Sequence, residues 1–144
     1  MLVSEILRIK GTTLYTTPPD APVMDAVRVM AQNDIGSLVV MDHGRMGGIV
    51  TFAEVLSALA EREGTLGDLR ISAIIERDPL TAAPSIDVNE LRRAMLERHA
   101  RYVPVMDGTT LLGVVSFHDV AKAVLEEQSL ENEMLKHYIQ DSPA

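Results

Sequence analysis

Ser116 and Asp119 stand three residues apart where the apolar run Gly113-Val114-Val115 ends, and Thr51 and Glu54 stand the same way after Gly48-Ile49-Val50. A hydroxyl followed at the third position by a carboxylate, where a strand gives way to a helix, has two chemical uses. The pair can satisfy the orphan amides of the first helical turn as a capping box. Alternatively, the helix N-terminus can accommodate an anion while the carboxylate accepts from a ligand's hydroxyls. Thr51-Phe52-Ala53-Glu54 fits the capping pattern, and capping accounts for it without a ligand. In Ser116-Phe117-His118-Asp119 the carboxylate is one methylene shorter than the preferred Glu or Gln. Asp119 is therefore expected to stand clear of the cap, either favouring the helix dipole or holding a ligand.

Little else in the chain can do chemistry. There is no cysteine, hence no thiolate or disulfide chemistry, and His43, His99, His118 and His137 show no metal-ligand spacing. No nucleophile–base pair and no phosphate-cradling glycine-rich loop is present, so the expectation is a protein that is not an enzyme and holds no metal. With 21 Asp and Glu against 13 Lys and Arg, a net charge of −8 and no basic cluster, nucleic acid is not an expected partner. No apolar run approaches the roughly 20 residues that span a bilayer, and Glu5 interrupts the run a signal peptide would need. The expected setting is the cytoplasm, with no membrane partner.

The elements that must position these junctions follow from periodicity. Val3 to Leu7 reads as a short amphipathic turn or helix, and Leu14 to Thr17 as a strand stopped by Pro18-Pro19. Asp20 is placed to cap a helix with Val23, Ala26, Val27 and Met30 on one face. Asn33-Asp34 ends it. Ser37 to Met41 is a continuous apolar run suited to a buried strand, and Met46 to Val50 returns it over the turn Asp42-His43-Gly44. Phe52 to about Glu63 is a helix with Val55, Leu56 and Leu59 inward, and Gly64 to Gly67 a linker. The second half repeats the order: Leu80-Thr81 as strand, Asp87 to Glu97 as helix with Val88, Leu91 and Met95 inward, Tyr102 to Met106 and Leu111 to Val115 as hairpin, and a helix from Phe117. The methionines, among them Met24, Met30, Met41, Met46, Met95 and Met106, mostly read as core.

Residues 15–62 laid on 80–127 without a gap agree at 14 positions, including Thr16/Thr81, Pro19/Pro84, Gly48/Gly113 and Phe52/Phe117; average usage would give roughly three. Two copies at this length predict a paired, pseudo-two-fold α+β domain rather than an array. The expected units are residues 1–64, residues 65–128, and a C-terminal helix and tail over 129–144. Ser129 is a plausible start for that last helix, with Leu130, Met134, Leu135 and Tyr138 as its stripe. The stripe docks either on its own domain or on a second copy.

The duplicated β-α-β-β-α order, with Arg101-Tyr102-Val103-Pro104-Val105-Met106-Asp107 before Gly113 to Lys122 and Ile35 to Asp42 before Gly48 to Thr51, resembles the CBS domain pair. The resemblance covers residues 3 to about 127, and the tail is similar to the terminal helix of stand-alone bacterial members. It implies two clefts between the repeats, an adenine-containing ligand (AMP, ADP, ATP, NAD(H) or S-adenosylmethionine), and a face-to-face homodimer. It also implies a Ser or Thr hydroxyl at phosphate, an Asp at the ribose hydroxyls, and a base between the first strand of a repeat and the segment leading into its hairpin. On that pattern the better nucleotide site comprises Thr81, Arg101, Tyr102, Val103, Pro104, Ser116, His118 and Asp119. The weaker one comprises Thr16, Gly36, Ser37, Thr51 and Glu54, because Ala53 stands where members carry a basic residue. Facing repeats can each contribute to one cleft.

Individual residues keep a plainer alternative. Arg101 faces phosphate or solvent, Tyr102 lies on adenine or packs in the core, and His118 donates to phosphate or is merely exposed. Two functions remain: a non-catalytic regulatory module that binds an adenine nucleotide as its ligand and requires no cofactor, or a ligand-free dimerisation scaffold whose C-terminal helix recruits an unknown effector protein.

Overall fold

The computed structural model describes residues 1–11 and 13–141. Its elements are α1 (Val3–Lys10), β1 (Thr16–Thr17), α2 (Val23–Asn33), β2 (Ser37–Asp42), β3 (Arg45–Thr51) and α3 (Phe52–Glu61). A single 3-10 turn (Ile71–Ala73) then leads to α4 (Val88–Arg98), β4 (Tyr102–Asp107), β5 (Thr110–Ser116) and α5 (Phe117–Asp141). One sheet has the order β1-β2-β3, with β1 parallel to β2, and the other pairs β4 with β5. The two hairpins are superposable in register: Ser37 opposes Thr51 as Tyr102 opposes Ser116, and each carries an irregularity at the same place, Val40/Met41 and Val105/Met106.

Local chemistry explains most boundaries. Asp87 caps α4, its carboxylate accepting from the Asn89 amide at 2.9 Å, and the left-handed Asp34 and His99 close α2 and α4. Several expectations need correcting. Asp20 does not cap α2; the cap position is Pro22, whose side chain accepts nothing. Leu80-Thr81 forms no strand, because only Ala82 bridges β4, in parallel with Val105. Leu56 and Met24 face outward rather than into the core. Ser129 starts nothing, since α5 runs unbroken from Phe117 to Asp141; residues 142–144 of the expected tail lie outside the described residues. Nor does the distal stripe dock on its own domain: Leu130, Met134, Leu135 and Tyr138 are 59%, 64%, 59% and 76% exposed.

The cores do not follow the repeats. Val3 and Ile6 of α1 pack with Val88, Leu91, Met95, Val103 and Val115, inside the second half. Ile71 and Leu66 pack with Val23, Leu38, Val50 and Val55, inside the first. Each half therefore borrows the apolar lead-in of the other, so that burying those side chains ties the two halves together. The expected boundary between residues 64 and 65 describes the repeat; the packing crosses it. Among the described residues, no helix is long and apolar enough to cross a membrane.

Candidate functional site

Both strand-to-helix junctions are closed capping boxes. At the first, the Thr51 amide donates to Glu54 Oε1 at 3.0 Å and the Ala53 amide to Thr51 Oγ1 at 3.2 Å. The Thr51 hydroxyl lies 3.0 Å from Glu54 Oε2 and, facing a carboxylate, must be the donor. At the second, the Ser116 amide donates to Asp119 Oδ2 at 2.9 Å and the Asp119 amide to Ser116 Oγ at 3.1 Å. Asp119 therefore does not stand clear of the cap as its shorter side chain led us to expect: the first turn brings its carboxylate within reach of the Ser116 amide.

The two boxes still differ chemically. Glu54 commits both carboxylate oxygens and takes the hydroxyl proton of Thr51. Asp119 gathers its bonds on Oδ2, where Lys10 Nζ also donates at 2.7 Å, and the Ser116 hydroxyl only accepts. Among the described residues, Asp119 Oδ1 and the Ser116 hydroxyl proton have no partner. Burial raises the Asp119 pKa, but the hydrogen bonds from Lys10 and the Ser116 amide outweigh it and hold the carboxyl below its ordinary value.

Two clefts open at these junctions, each within the ordinary volume of a small-molecule site. One, of about 540 Å³, is lined by Thr51, Ala53 and Glu54 together with Glu76, Leu80, Arg98, Ala100, Arg101 and Tyr102. The other, of about 650 Å³, is lined by Ser116 and His118 together with Lys10, Leu14, Tyr15, Ile35, Gly36 and Ser37. Each cleft thus joins the junction of one repeat to the hairpin entry of the other. Arg101, Tyr102 and Phe117 line both.

The expected site residues are consequently redistributed. Ser116, His118, Arg101 and Tyr102 line one cleft together with Gly36 and Ser37, and Thr51 and Glu54 line the other, which Arg101 and Tyr102 also reach. Asp119 follows His118 and is joined to the Ser116 cleft through Lys10. Val103 and Pro104 are buried within β4, where the Pro104 carbonyl accepts from the Ala82 amide at 3.0 Å. Thr16 and Thr81 are exposed, and their predecessors Tyr15 and Leu80, equivalent in the repeat, line the clefts instead. Tyr102 packs edge-on against Phe52 with ring centroids 6.2 Å apart, and its hydroxyl end occupies the space a side chain at residue 36 would need, which is why glycine sits there. Arg101 is exposed, and its guanidinium lies over the Phe52 ring at 5.3 Å in a cation–π contact. Lys10, Tyr15 and Leu80 escaped the sequence reading. The 15/80 register could have found the last two; Lys10 needed α1 to run three residues past Leu7. Among the described residues, no group of three His, Asp or Glu side chains is arranged to hold a metal ion.

Similarity to known proteins agrees with this architecture. The CBS domain family model matches residues 3–61 and 71–126. A mitochondrial CBS domain-containing protein, CBSX3 of Arabidopsis thaliana, is 29% identical, the match covering 96% of this chain and 71% of that one. The solved structure of a protein with CBS domains from Burkholderia ambifaria superposes with a TM-score of 0.82 at 31% identity, covering 89% of this chain and 96% of that one. The CBS domain pair of protein MJ0100, in complex with 5'-methylthioadenosine and S-adenosyl-L-methionine, gives a TM-score of 0.78 at 25% identity over 88% and 98% of the two chains. The chain belongs to the CBS domain family and carries two CBS domains in tandem.

Proposed function

We propose that the chain is a non-catalytic regulatory module that binds an adenine nucleotide in the Ser116 cleft. The observation that carries this reading is the difference between the two capping boxes. Only the second leaves a hydroxyl proton and a carboxylate oxygen free, and it does so at a helix N-terminus, where phosphate is readily accommodated. The Ser116 hydroxyl and His118 serve phosphate, Asp119 takes two ribose hydroxyls, one on the free Oδ1 and one on Oδ2 in place of Lys10, and the base lies between Leu14-Tyr15 and Ile35-Gly36. The complex of the CBS pair of MJ0100 with 5'-methylthioadenosine and S-adenosyl-L-methionine supports an adenine ligand. The Thr51 cleft is the weaker site, because Glu54 consumes the hydroxyl proton and Glu76 and Asp78 add negative charge to its wall. Regulation requires that the ligand favour one arrangement of the two repeats over another; a ligand bound between them satisfies that geometry. Titration calorimetry with AMP, ADP, ATP, NADH and S-adenosylmethionine is expected to give one dominant site per chain. Absence of heat and of any melting shift with all five would overturn the reading.

A second reading, a scaffold that acts through its C-terminal helix, is favoured by the exposed stripe on α5. The proximal half of that helix buries Val120 and Ala123, and the stripe continues beyond the core as Leu130, Met134 and Tyr138. We infer that a second copy covers this stripe. In an antiparallel pair centred on Met134, Leu130 would face Tyr138 and Glu131 would face His137, opposing apolar to apolar and acid to base. Met134→Glu is expected to convert a dimer to a monomer in light scattering while leaving the melting temperature of the dilute chain within a few degrees. A dimer that persists in the variant places its interface elsewhere.

A further inference from the structure

Lys10 ends α1, and its half-exposed ammonium donates to two acceptors of the second repeat, Asp119 Oδ2 at 2.7 Å and the Val114 carbonyl at 2.9 Å. The equivalent carbonyl of the first repeat, Ile49, is taken differently. There the backbone amide of Glu76 donates at 2.9 Å, within a two-way bridge. A backbone bridge is fixed, whereas a lysine side chain has four methylenes with which to turn elsewhere. The pair is also weakly held, because a half-exposed ammonium is easily rehydrated. Among the described residues that line it, the Ser116 cleft carries Lys10, Arg101 and His118 against Asp34, with Asp119 held behind Lys10.

We propose that Lys10 sets the class of ligand that this cleft accepts: its ammonium covers Asp119 when the cleft is free and moves onto a ligand phosphate when ribose displaces it. The proposal rests on the nucleotide reading given above. A ribose hydroxyl approaching Asp119 competes with a cation, so the exchange is favourable only where the ligand brings an anion for that cation to meet. A phosphorylated nucleoside does so. Adenosine does not, and S-adenosylmethionine brings a sulfonium that Lys10 and Arg101 repel. The cleft therefore selects nucleotides over nucleosides and S-adenosylmethionine, and one residue from outside the second repeat makes the selection.

The test is calorimetry on the full chain with AMP, adenosine and S-adenosylmethionine, for wild type, Lys10→Met and Lys10→Arg. Wild type is expected to prefer AMP over adenosine by about tenfold or more, as for loss of one charge-assisted hydrogen bond. Lys10→Met is expected to weaken AMP by about that factor while adenosine binds as well or better, since Asp119 is then uncovered; Lys10→Arg should retain the preference. An AMP-to-adenosine ratio unchanged in Lys10→Met, or equal affinities in wild type, would overturn the role of Lys10 and leave the adenine site standing. Absence of binding by wild type to all three compounds would overturn both.

Discussion

Gly48→Ala is expected to destabilise the fold by about 3 kcal/mol, lowering the thermal midpoint by roughly 6–12 °C, whereas Gly113→Ala costs about 1 kcal/mol. The two glycines are equivalent in the repeat, and their surroundings make the difference. Gly48 has φ +154°, and a Cβ there would overlap the Glu76 carbonyl oxygen and lie 2.9 Å from the Ile75 side chain. That carbonyl belongs to the bridge in which the amides of Ile49 and Glu76 each donate to the other's carbonyl at 2.9 Å. Backbone cannot step aside as a side chain can, so alanine would push out the connecting segment and break both bonds. At Gly113 the nearest obstacle is the Leu7 side-chain tip at 2.8 Å, which rotation relieves. Thermal unfolding of the two variants side by side checks the ranking; equal losses would refute it.

Asp119→Ala is expected to weaken adenine-nucleotide binding by about 100-fold, two hydrogen bonds to a charged group being lost, and to cost about 1 kcal/mol of stability through the cap. The stability share has a definite pH dependence. Asp119 has a folded pKa below its ordinary 3.8, with burial opposing the shift and the Lys10 and Ser116 hydrogen bonds driving it. A depressed carboxylate stabilises the fold above the unfolded-state pKa, and that share is lost as pH falls through the folded one. The wild-type advantage over Asp119→Ala should therefore be full near pH 7 and shrink below about pH 4. Glu54→Ala is the control: a similar cap loss with AMP affinity changed little. Equal loss of AMP by both variants would reassign the site to the two clefts together.

The duplication, the element order, the capping boxes and the apolar faces of α2 and α4 were legible in the residues because each is set locally. A cap is a contact over three positions, a helical face is a period of 3.6, and a hairpin register follows from its turn. Some local signals lost to others close by. Asp20 lost the cap position to Pro22, and Ser129 was absorbed into a helix already running. Asp119 was misjudged locally too: a side chain thought too short for the cap reaches it.

Only the tertiary arrangement decided what each junction faces. Ser116 and Gly36 are far apart in sequence and belong to different repeats, yet they line one cleft, while Arg101, grouped with Ser116 in the sequence, lines both clefts. The exchange of lead-in segments, α1 into the second core and Ile71 into the first, also joins residues far apart in sequence and brings Lys10 to Asp119. Such pairings depend on how the two repeated units are rotated against each other. Identical local patterns are consistent with more than one rotation, and close packing of the side chains between the units selects one. The sequence by itself determined that there are two junctions able to cap a helix; the fold determined that only the second leaves a hydroxyl proton and a carboxylate oxygen without a partner among the described residues.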